Sequence, residues 1–208
     1  MAHLHERTGS DTGTRPSPLH GGGVILSFAP WIIFDVIAGP STWKLAAFTA
    51  LVASVVLSLP DLRHGTAKLL NVAAILFFGV IWILGFVLDR QDLIWLETYA
   101  QVLSNGVLAV VAFASLATMP FTEQYARESV PRELWNTPAF HRTNQVLTAV
   151  WATVFLVTAV LGLIALHTSG LGDWFNWVIP IILLVLAIKF TKWYPEYVRG
   201  QARSAALR

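Results

Sequence analysis

The chain is 208 residues long, 55% hydrophobic and only 12% charged, with a mean hydropathy of +0.61, whereas a soluble domain carries charge at about a quarter of its positions. So few charges cannot cover a water-facing surface, and the length is better divided by the ~20 residues that a helix needs to cross the hydrocarbon of a bilayer. The net charge of +2 leaves no nucleic-acid footprint, because the basic residues are spread over the segments that flank apolar runs. The absence of cysteine excludes disulfides, thiolate nucleophiles and iron–sulfur ligation.

Residues 1–20 are polar, hold Gly9, Ser10, Gly13, Pro16 and Pro18, and predict a disordered cytoplasmic tail rather than a cleavable signal. His3, His5 and His20 read as incidental surface histidines of that tail. Six apolar segments follow, near residues 22–38, 45–60, 69–88, 98–119, 145–167 and 174–193. Lipid offers the backbone no hydrogen-bond partner, and the runs lack the alternation of a membrane barrel, so each predicts a transmembrane helix. The predicted fold is all-α: a polytopic bundle of about six transmembrane helices over residues 21–195, with residues 196–208 a second cytoplasmic tail.

Basic residues set the orientation. With six spans, twelve of the fourteen Lys and Arg residues fall on one side and only Lys44 and Arg90 on the other, with Lys189 snorkelling to the basic side. The positive-inside rule therefore predicts both termini in the cytoplasm. Trp43, Trp95, Trp174 and Trp177 fall at outer span ends and Trp135 and Trp193 at inner ends, as aromatic belts would. A five-span arrangement, with one of the two shorter early segments re-entrant or interfacial, would lose most of the basic asymmetry.

The first span holds Pro30, Trp31 and Asp35. Proline frees the carbonyl of Leu26 and predicts a bend. An acid at the centre of a membrane helix costs ~2.5–3.5 kcal/mol on insertion scales and is a functional candidate by default. Asp35 could equally reach water at the outer interface. In the fourth span Glu97, Gln101 and Asn105 stand four apart on one helical face. With Asp35 and Trp31 they make a candidate pocket open to the outside; the alternative is interhelical bonding at roughly 0.6 kcal/mol each.

The loop from Pro120 to Gln145 predicts a short interfacial helix between Pro120 and Pro131. Glu123 pairs with Arg127 and Glu128 with Arg132 at four-residue spacing, Phe121 and Tyr125 share the apolar side, and Trp135 and Phe140 anchor the return. Glu123, Tyr125, Arg127, Glu128, Arg132 and Trp135 are candidate residues for docking a partner; an ordered connector is the alternative. In the fifth span the hydroxyls of Thr148, Thr153 and Thr158 can bond their own helix. No histidine falls within the middle of a span; His64 and His141 lie on inner loops and His167 ends the fifth span. That leaves no axial haem ligands and no metal site, and no catalytic residue or cofactor is predicted.

The organisation over roughly residues 24–195 resembles the bacterial inner-membrane family called intracellular septation protein A. The likeness lies in Phe28, Pro30 and Phe34 of the first span, in Pro120, Gln124, Glu128, Pro131 and Trp135 of the loop, and in Asn144, Trp151 and Phe155 of the fifth span. The chain departs from the family in its long polar N-terminal tail and more elaborate loop. The resemblance implies a bacterial plasma-membrane setting, with the bilayer and other envelope membrane proteins as partners. The expected function is a non-enzymatic scaffold or septation and envelope-maintenance component. The alternative is a small-solute or ion transporter or channel using the outward pocket.

Overall fold

The computed structural model describes residues 22–39, 41–63, 65–168 and 170–206. The N-terminal tail, with His3, His5 and His20, lies outside the described residues, as does His64. The described chain is all-α, with eight helices: α1 Gly22–Ser27, α2 Ala29–Ile37, α3 Trp43–Arg63, α4 Leu69–Val87, α5 Arg90–Ser115, α6 Phe121–Ala126, α7 Pro138–His167 and α8 Ile179–Ala206. A 3-10 turn covers Arg132–Leu134, and a π turn at Trp174–Val178 runs into α8 just ahead of Pro180, which has no N–H to give. Five helical stretches, α3, α4, α5, α7 and the π turn with α8, are long and apolar enough to cross a membrane.

The first apolar segment is two helices rather than one. Pro30 cannot bond the Leu26 carbonyl, so the ladder tightens to a Phe28 N–H to Ile25 oxygen bond of 3.1 Å and restarts with Ile32 N–H on the Phe28 oxygen at 3.0 Å. Although short, α1 and α2 are deeply packed, with Phe28, Trp31 and Phe34 all buried. Phe28 stacks on Trp151 of α7 at 4.6 Å, and Trp31 lies against Phe77 and Phe78 of α4 at 5.3 and 5.0 Å.

Several helices outrun their apolar stretches because polar caps start them early. The Asp89 carboxylate accepts from the N–H groups of Gln91 and Asp92, both at 3.0 Å, so α5 begins at Arg90 rather than near residue 98. Thr137 accepts from Phe140 N–H at 3.3 Å and starts α7 at Pro138. At the other end of the chain, α8 continues as helix to Ala206.

Helices α3 and α4 approach closely because α3 turns a stripe of small residues, Ala46, Ala47, Ala50, Ser54 and Ser58, into the interface. At its far end Trp43 is buried against Gly85 and is no part of a lipid-facing belt, unlike the exposed Trp95, Trp174, Trp177 and Trp193. α5 packs most extensively on α7, and α8 leans mainly on α7, with Ala187 its one fully buried side chain among the described residues. Lys189 is exposed. Gly23, Glu128 and Arg199 line one groove of about 760 Å³. The two ends of the described chain therefore lie at the same end of the bundle, the one that carries the α5–α7 loop.

Candidate functional site

Two polar clusters sit in this fold. The first is in the bundle's mid-section. α2 stops at Ile37, which leaves its last carbonyls without helical partners. Ala38 N–H bonds the Phe34 oxygen at 2.8 Å, and the Thr42 hydroxyl donates to the Ile37 oxygen. The Asp35 main-chain oxygen is taken instead by Gln101 Nε2 of α5 at 2.7 Å.

The Asp35 carboxylate itself receives one bond per oxygen: Ser104 Oγ donates to Oδ1 at 3.1 Å and Asn105 Nδ2 to Oδ2 at 3.2 Å. Asn105 Nδ2 also donates to the Gln101 carbonyl at 3.0 Å, fixing the amide on its own helix. All donors to the carboxylate are neutral, and Asp35 forms no ion pair among the described residues. Asp35 is half-buried, while Ser104 and Asn105 are buried.

Asp35, Gln101 and Asn105 line a cavity of about 350 Å³ between α2, α5, α7 and the start of α8, with Ser104 behind its wall. Its wall is mainly apolar and aromatic, including Phe28, Trp31 and Phe155, with Thr98, Thr158 and Asn176 adding polar points. Its exposed lining residues are Ile32, Val36, Leu166, Trp177 and Ile181, together with the polar Thr98 and Asn176. Asp35, Trp31, Gln101 and Asn105 thus meet at one cavity. Glu97 does not line it; one turn further along α5, it is half-buried and outside the wall. Ser104 went unnoticed in the sequence because it lies between the four-apart positions, yet a helix surface also joins residues three apart.

The second cluster is at the loop end. α6 is shorter than the prolines suggest, and its Glu123 is buried, bonded by Arg127 Nη2 at 2.6 Å and paired with His141 Nδ1 at 2.8 Å. Glu128 does not pair with Arg132. It binds Lys68 at 2.6 Å, and Lys68 also holds Asp61 at 3.1 Å and lies over the Tyr125 ring at 5.0 Å. Arg132 and Arg127 instead flank the Trp135 ring at 5.6 and 5.1 Å, while Trp135 Nε1 donates to the Val130 oxygen. Thr148 does not bond its own helix: it pairs with Thr122 Oγ1 at 2.9 Å, tying α6 to α7.

Burial opposes the charge of Lys68, but the bonds and charges of Glu128 and Asp61 outweigh it and hold the ammonium above its ordinary value. Burial pushes the Tyr125 phenol up as well. Of the six loop residues singled out for docking, only Glu128 and Arg132 are exposed.

No family model, curated protein or solved structure matches this chain. Among the described residues no three His, Asp or Glu side chains are grouped so as to hold a metal ion.

Proposed function

We propose that the chain is a multi-pass protein of a bacterial plasma membrane that binds a small molecule in the Asp35 cavity and catalyses no reaction on it. The single observation behind this is the convergence of Gln101, Ser104 and Asn105 on Asp35 at the wall of an apolar cavity. Such a cavity is of the size small ligands use, with few polar groups fixing orientation. Even a half-buried acid in a membrane segment is a functional candidate by default.

Six membrane segments with both termini cytoplasmic is the topology we favour. α1 and α2 together reach only ~24 Å at 1.5 Å per residue, short of a ~30 Å hydrocarbon layer, but they are wrapped by other helices. Gly23 and Arg199 at one groove support an even number of crossings, and the basic residues favour the cytoplasm at that end. Transport of a small solute is the activity this site most directly serves. The envelope-scaffold and septation reading rests on the membrane architecture and on the resemblance alone.

The absence of cysteine permits a direct test. Thr98 is exposed at the cavity wall, so Thr98→Cys is the sole thiol in the chain. 4-Phenylbutan-1-ol, a neutral amphiphile of fitting size, should slow its alkylation by N-ethylmaleimide, and Thr158→Trp, which fills the cavity, should abolish that protection. Alkylation rates unchanged by the alcohol, and by its amine and carboxylate analogues, would overturn the reading.

A further inference from the structure

We propose that the occupant of the Asp35 cavity is a lipophilic organic ammonium ion, a protonated primary or secondary amine with an apolar body, which enters from the bilayer; this rests on the reading of the cavity as a ligand site.

Charge is the first ground. Among the described residues Asp35 is the sole ionisable side chain lining the cavity, and its partners are neutral hydroxyl and amide donors. An ionised carboxylate away from water needs a counter-charge as well as hydrogen bonds. No side chain of the described fold supplies one, so a cationic ligand completes the pair.

Hydrogen-bonding capacity is the second. Asn105 spends both of its N–H groups, on the Asp35 carboxylate and on the α5 backbone, and Gln101 spends one of its two on the Asp35 main chain, while Gln101 Oε1 and Asn105 Oδ1 accept no bond among the described residues. Two free amide acceptors beside a carboxylate match the several N–H donors of an ammonium group and no anion. Trp31, lining the same cavity at 2% exposure, has an indole N–H without a partner.

The wall is the third. Aromatic faces are favourable neighbours for a cation, and the rest of the surface takes an apolar chain. Most of the exposed lining residues, among them Ile32, Val36 and Ile181, are apolar, which suits entry from the layer into which such an amphiphile partitions.

Protection of Thr98→Cys, in the otherwise unaltered full chain in lipid nanodiscs, separates the outcomes. The probes are 4-phenylbutylamine, 4-phenylbutan-1-ol and 4-phenylbutyrate, which share a body and differ in charge. The amine should protect at a concentration at least about tenfold lower than the alcohol, and the butyrate should protect least. With Asp35→Asn added, the amine's advantage should vanish while the alcohol still protects, which also shows that the variant is folded. Equal protection by amine and alcohol with Asp35 intact, or an advantage that survives Asp35→Asn, would overturn the ammonium proposal and leave the cavity reading standing. Should Asp35→Asn fail to fold, the ranking with Asp35 intact decides alone. Absence of protection by any of the three would remove the cavity reading itself.

Discussion

Gln101 Nε2 donates to the main-chain oxygen of Asp35 at 2.7 Å, so a side chain in the middle of α5 completes the last turn of α2. The amide does for a broken helix what a continuing backbone would have done. It also fixes the height at which the Asp35 carboxylate meets Ser104 and Asn105.

Replacing Gln101 by Leu should therefore cost stability as well as binding. Interhelical hydrogen bonds of membrane proteins are worth about 0.6 kcal/mol on average and at most about 1.7. The orphaned carbonyl puts Gln101→Leu in the upper part of that range. Reversible unfolding in mixed micelles would measure it; a variant as stable as the parent would show that the bond does not hold α2 in place.

Glycine at position 85 is required by contact. A Cβ there would lie 3.1 Å from Trp43 Cη2 and 3.4 Å from Lys44 Cγ, at the end of the α3–α4 hairpin. Gly85→Val should cost about 1–3 kcal/mol through overpacking, whereas Gly106→Ala, where nothing lies within 4 Å, should be neutral or stabilising. Melting temperatures of the two variants in one detergent would rank them, and the reverse order would contradict the packing described.

Loop-end stability should depend on alkaline pH. Lys68 and Tyr125 both have folded pKa values above their ordinary 10.5 and 10.0. As pH rises past those ordinary values, the unfolded chain loses these protons first. Stability from a raised pKa is complete below the unfolded value and is lost as pH climbs through the folded one. Thermal stability should thus stay level from neutral pH to about 10 and fall beyond it. Lys68→Met should lower it by about 1 kcal/mol near neutrality, as partly exposed ion pairs do, and should flatten the alkaline decline. Increasing stability above pH 10 would refute this assignment.

Topology is open to the same cysteine-free approach. Asp173 and Ser204 are exposed near opposite ends of the π turn and α8. In intact cells a membrane-impermeant maleimide should label Asp173→Cys directly, and Ser204→Cys only after permeabilisation. Labelling of both from outside, or in the opposite sense, would reject six segments with cytoplasmic termini.

Much of this architecture was legible because its signals are local. Long apolar runs marked five membrane-length helices, and four-residue spacing put Gln101 above Asn105 and Glu123 beside Arg127. What escaped depends on the third dimension. The charged start of α5 is helical through a cap on Asp89 that hydropathy does not register. Glu128 had an Arg within reach along its own segment, yet Lys68, sixty positions earlier, lies closer in space. Trp43 looked like an interfacial anchor, and only the small neighbour at Gly85 shows why it turns inward.

At the start of α4, the Leu69 N–H is taken by Gln124 Oε1 at 2.8 Å, and the preceding Lys68 by Glu128. A helix made early in synthesis is thus finished by residues made more than fifty positions later. While the ribosome is still adding α5, the second long apolar helix has no such partner at its start. A nascent chain stopped before Gln124 should leave the first turn of α4 frayed and open to proteases, and one extended past Glu128 should not. That outcome would make the α6 loop a clasp on α4 that can close only once translation has passed it.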